Sequence, residues 1–186
     1  MVSLFSLWLP ILLSAVIVFV ASSVIHMFLA YHQNDYAKVP NEDSVADALR
    51  PFNIPPGEYM MPKPGNTKEM GTPEFQERMT RGPVLAMTVW PNGPFAMGAQ
   101  LVQWFVYCVV IGWYSGYLAS RTLGAGAEYL EVFRITGTVA FAAYGLAHLQ
   151  ASIWYRRAWS TSLKSLFDSL VYALLTAGTF GWLWPA

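Results

Sequence analysis

The sequence predicts an all-α integral membrane protein: four transmembrane helices, with a long proline-rich cytoplasmic loop carrying short surface helices. Three observations predict it. Four apolar stretches occupy more than half of the 186 residues. Charged residues make up 12%, against roughly 25% in an average soluble domain. Ten of the 12 prolines and eight of the 11 acidic residues are confined to segment 33–94.

The first apolar stretch, residues 4–31, contains no Lys, Arg, Asp or Glu. About 20 such residues span the roughly 30 Å of a bilayer's hydrocarbon, so this stretch can cross with tilt to spare. It has no basic n-region, and its apolar run is about twice the length usual in a signal peptide, so it is expected to be a retained anchor. Residues 95–119, 129–155 and 162–184 supply the other three spans. Helices are expected because lipid offers no partner for a free backbone N–H or C=O.

Segment 33–94 reads as an insertion into the single membrane domain 1–186. Glu42 and Asp43 near its start and Arg50 at the end of the same run suit a helix dipole, predicting one short surface helix. Thr72, an N-cap residue ahead of Pro73 and Glu74, predicts a second that runs to about Thr80. Pro55-Pro56-Gly57 and Pro62-Lys63-Pro64-Gly65 impose turns and extended stretches between them. Val84 to Trp90 is apolar but too short to cross, and is expected to form an interfacial or strand-like cover.

Basic residues set the expected orientation. Lys38, Arg50, Lys63, Lys68, Arg78 and Arg81 lie in the long loop, and Arg156, Arg157 and Lys164 lie around the last inter-helix link, while Arg121 alone occupies the opposite short loop. The positive-inside rule places loop 33–94 in the cytoplasm and both termini outside. Trp8, Trp182 and Trp184 would then line one interface, and Trp154 and Trp159 the other.

Small residues offer close helix contacts. Gly112 and Gly116 form a GxxxG pair, and Ala173, Ala177 and Gly181 repeat every four residues. Such stripes serve packing within the bundle or self-association with a membrane partner.

Any chemistry is expected where polar groups lie at membrane depth. At 1.5 Å per residue, His26 lies about 7 Å inside the cytoplasmic boundary, His148 about 10 Å and Asp168 about 9 Å, with Gln103 in the same polar layer. Three readings of this layer stay open. It forms a hydrogen-bonded tier, with Asp168 paired to Lys164 or to a histidine. Alternatively, His26, His148 and Asp168 hold a transition metal or relay protons, with His32 or Asp35 assisting. The third is haem held between His26 and His148. His26 and His32 are six residues apart, on opposite sides of a continuous helix; they converge only if the helix ends between them. At the other end, Glu128, Glu131 and Arg134 at i, i+3 spacing are expected to form an ion-pair ladder that lets Arg134 snorkel.

Several signatures are missing. The chain has no Gly-rich phosphate loop, nucleophile elbow, CxxC pair or basic stripe for nucleic acid. Cys108 is the single cysteine, which excludes an intrachain disulfide. No catalytic residue is assigned.

The run Leu9-Pro10-Ile11, the stretch from Ser22 through His26 to Met27, Gly57-Glu58-Tyr59-Met60 and the ending from Tyr172 to Pro185 resemble an uncharacterised family of small bacterial four-helix integral membrane proteins. The resemblance spans nearly the whole chain. It implies a bacterial inner membrane and four helices, and brings no activity, cofactor or catalytic residue. The expected function is a non-catalytic accessory subunit or scaffold of an inner-membrane assembly, needing the lipid bilayer, a membrane-protein partner and no cofactor. The alternative is a small metal-, proton- or haem-handling protein built on the His/Asp layer.

Overall fold

The computed structural model describes residues 2–186 and is mostly helical. The chain divides into two compact units. One comprises the residues up to Tyr36 together with Ala96–Ala186, and the other is Ala37–Phe95.

The first unit is a helical bundle. Helix α1 (Trp8–Phe28) follows a 3-10 turn at Leu4–Leu7. After the inserted unit, with its short helices α2 (Glu42–Leu49) and α3 (Pro73–Arg81), come α4 (Gly98–Thr122), α5 (Tyr129–Phe141), α6 (Ala147–Tyr155) and α7 (Trp159–Trp182). A π turn at Ala142–Leu146 joins α5 to α6 into one continuous rod. The stretches Leu4–Phe28, Gly98–Thr122 and Tyr129–Tyr155 are long and apolar enough to cross a membrane. The 24-residue α7, which carries Lys164 and Asp168, lies outside that set.

The four rods close into a ring. Helix α1 packs between α4 and α7, and α5 packs between α4 and α7 on the other side. Glycines set the closeness of these contacts. A Cβ on Gly112 would stand 3.2 Å from the Ile11 carbonyl oxygen, and one on Gly137 3.0 Å from the Ala177 Cβ. Both small-residue stripes are thus occupied within the chain: Gly112 and Gly116 face α1 and Phe180, while Ala173 and Ala177 are buried.

Apolar side chains stand on the outside of the bundle as well as in its core, where hydroxyls are interspersed among them. Leu12, Val16, Val20 and Val24 stand exposed at four-residue spacing on α1, whereas Ser14 and Ser22 of the same helix are buried. The buried groups elsewhere include Ser115, Ser120, Thr136, Ser162, Ser169 and Thr176. Most of these hydroxyls are satisfied locally, donating to a carbonyl three or four residues earlier in the helix, as Ser14, Thr136 and Thr176 do. One end of the bundle gathers Leu7, Val132 and Phe180 with Trp184, and the Gly126 amide donates to the Pro185 carbonyl there. Both chain ends therefore lie at the end occupied by the α4–α5 turn.

The second unit corrects the all-α expectation. Strands β1 (Gly57–Met61) and β2 (Leu85–Val89) pair antiparallel, with Tyr59 opposite Met87. The Val84–Trp90 segment is thus a strand with a named partner, and segment 33–94 holds a small fold of its own. The two surface helices lie close to the expected spans, and the Thr72 hydroxyl accepts the Phe75 amide at the start of α3. Phe75 is buried within this unit.

Two further boundaries depart from expectation. Helix α1 stops at Phe28 rather than continuing to Tyr31, because Leu29 turns extended (φ −90°, ψ 125°) and a 3-10 turn follows at Ala30–His32. The 129–155 span is interrupted by its π turn, which sequence periodicity does not reveal.

Candidate functional site

The early end of α1 creates the site. Had the helix continued, His26 and His32 would have pointed apart; the extended Leu29 and the turn after it fold His32 back, so the two rings stand 4.5 Å apart between centroids. The condition for their convergence is met.

His32 is the hub. Its Nδ1 lies 2.7 Å from Asp35 Oδ2, and its Nε2 lies 2.8 Å from Asp168 Oδ2 on α7. The Tyr31 hydroxyl donates to the other Asp168 oxygen. Lys164, one turn before Asp168, donates to Asp35 Oδ1 at 2.8 Å and to the Tyr31 carbonyl. Asp168 is 3% exposed, and a carboxylate so buried persists only with partners of this kind. The segment Tyr31–Asp35 is thereby clamped to α7.

Electrostatics follow these contacts. Burial alone would raise the Asp35 pKa, but the hydrogen bonds and charges of His32 and Lys164 outweigh it and hold the carboxyl below its ordinary value. The Tyr31 hydroxyl is pushed above its ordinary value by burial and by its hydrogen bond to Asp168, so it stays a donor.

Beside the network lies a cavity of about 290 Å³, lined among others by His26, Trp104, Tyr144, His148, Asp168 and Tyr172. The π turn shapes one wall. The Ala143 and Tyr144 carbonyls of this segment accept from the Tyr107 hydroxyl (3.0 Å) and the Ser169 hydroxyl (3.0 Å). Such single π turns recur at functional sites. Trp104 is held by its indole N–H, which donates to Ser22 Oγ at 2.7 Å.

The predicted residues divide. His26, His148 and Asp168 all line the cavity. His26, His32 and Asp168, however, are the three whose ligand atoms lie within 4.8 Å of one another, so His32 takes the place expected for His148. Gln103 is exposed and does not line the cavity; its neighbour Trp104 does, because one residue turns a helix by about 100°. Asp168 pairs with His32 and Tyr31, not with Lys164. At the far end, Glu128, Glu131 and Arg134 are exposed, and no ion pair joins them among the described residues. Exposed pairs gain too little to hold three long side chains in one geometry. At about 290 Å³ the cavity sits at the floor of the roughly 300–1,000 Å³ typical of small-molecule sites, and His26 and His148 both line it.

Tyr31, Trp104 and Tyr172 were not singled out from sequence. The usable signal was Tyr31-His32 standing where the apolar run meets the polar loop, but no Gly or Pro marks the helix end there.

Comparisons of this chain with protein-family models, with curated proteins and with solved structures returned no match.

Proposed function

We propose that this chain is a bacterial inner-membrane protein that crosses the bilayer four times, with both termini periplasmic and Ala37–Phe95 cytoplasmic, and that it serves as a non-catalytic accessory subunit or scaffold. The apolar outer face of the bundle supports the membrane setting: outward Leu and Val suit lipid, whereas a water-soluble helix turns polar residues outward. The grouping of both chain ends with the α4–α5 turn supports an even number of crossings.

The observation that carries the scaffold reading is the inserted unit. A separately compacted segment follows one long apolar helix and precedes another along the chain, and it exposes Phe52 and Trp90, which are 73% and 71% accessible. Aromatic residues are enriched at partner contacts, which supports this use. The His32–Asp168 network supports the same use, since it anchors the chain just before the unit begins.

The test is affinity capture of the tagged full chain from solubilised membranes, compared with a variant whose residues 37–95 are replaced by a Gly/Ser linker. A stoichiometric subunit that co-purifies with the parent and with His148→Ala, but not with the linker variant, is the expected result. Capture of no stoichiometric subunit, or of the same one by the linker variant, overturns the reading.

A further inference from the structure

We propose that His26, His32 and Asp168 form a binding site for a first-row divalent transition metal of the zinc class, with a fourth position open to the adjoining cavity. This goes beyond the scaffold reading, which is carried by the inserted unit.

The donor set comes first. Two imidazoles and a carboxylate, each offering one ligand atom, lie within 4.8 Å of one another, and this combination selects zinc-like ions over the all-oxygen chemistry of Ca²⁺ and Mg²⁺. Three protein ligands plus one position reached through a cavity is the arrangement of open zinc sites. His26 and Asp168 both line that cavity.

The outer partners are those a metal-binding histidine needs. Metal-bound histidines direct the second ring N–H at a carboxylate, which fixes the tautomer and aims the free nitrogen at the ion. His32 has this geometry: Nδ1 is 2.7 Å from Asp35, and Asp35 is itself held by Lys164 at 2.8 Å. That leaves Nε2 directed at Asp168, whose other oxygen is engaged by the Tyr31 hydroxyl. His26 is the least committed of the three, its Nε2 making a 3.5 Å contact with the Tyr172 hydroxyl.

The His32–Asp168 pair is already close to the spacing an ion requires. Tetrahedral ligands about 2.0–2.1 Å from zinc stand roughly 3.3 Å apart. The His32 Nε2 to Asp168 Oδ2 separation of 2.8 Å therefore opens by about half an ångström as the ion replaces the shared proton, which leaves to solvent.

The experiment uses the full chain in detergent, stripped with a chelator, exposed to Zn²⁺, desalted and measured by elemental analysis; Co²⁺ absorption supplies an independent signal. One Zn²⁺ per chain is expected. His32→Gln and Asp168→Asn lose it, His148→Ala retains it, and Asp35→Asn weakens binding by about 10–100-fold. X-ray absorption of Zn²⁺-loaded parent protein, which does not depend on any variant folding, shows two imidazoles. No binding by the parent above a detergent blank, equal binding by His32→Gln and Asp168→Asn, or fewer than two imidazoles overturns the site.

Discussion

Asp168→Ala tests the network that ties the end of α1 to α7. Asp168 is 3% exposed and accepts from both the Tyr31 hydroxyl and His32 Nε2. Truncation removes a hydrogen bond to an ionised group, which contributes about 1.5–3 kcal/mol, and a phenol bond of about 1 kcal/mol. It also relieves the cost of burying the carboxylate itself, which offsets part of that loss. The net expectation is a destabilisation of about 2–3 kcal/mol. Unfolding of the purified chain by SDS in mixed micelles supplies the free energy, and a double-mutant cycle with His32→Ala isolates the pair. Coupling of at least about 1 kcal/mol is expected, since residues in one network are not additive. Asp168→Asn, which keeps an acceptor for Tyr31, falls between parent and alanine. A loss below about 0.5 kcal/mol for Asp168→Ala, or strict additivity in the cycle, refutes the reasoning.

The remaining predictions concern packing and the inserted unit. Gly112→Leu forces α1 and α4 apart, because its Cβ alone would lie 3.2 Å from the Ile11 carbonyl oxygen; a cost of about 1–3 kcal/mol is expected in the same SDS assay, with Gly112→Ala costing less. Arg134→Ala changes stability by no more than about 0.5 kcal/mol, because Arg134 is exposed and joins no ion pair among the described residues. Thr72→Ala removes the cap on α3 and costs about 1 kcal/mol locally, seen as faster amide exchange at Phe75 with unchanged exchange in the bundle.

Much of the helical architecture was legible because its signals are local. A run of apolar residues free of charge needs no tertiary knowledge to be recognised, and Thr72-Pro73-Glu74 marks a helix start by chemistry alone. The sheet was less so: β1 and β2 are separated by 23 residues that include α3, so no short turn announces their pairing. The site was half legible. His26, His148 and Asp168 drew attention as polar groups in apolar runs, but helix rotation decides which side chain faces inward, and that put Trp104 rather than Gln103 on the cavity. The placement of His32 depended on a helix break at Leu29, where neither Gly nor Pro stands. The π turn at Ala142–Leu146 is stabilised by Tyr107 and Ser169 from other helices, so it too is a tertiary effect.

The central claim is a four-span membrane topology, and α7 is the helix on which it turns. Cysteines at Ser44 and at Ala186, each introduced singly into a Cys108→Ser background, report the two faces; both parent positions are exposed. Labelling of intact cells with a membrane-impermeant maleimide is predicted to modify position 186 and to spare position 44 until the inner membrane is opened. Labelling of position 44 in intact cells, or protection of position 186, contradicts the account.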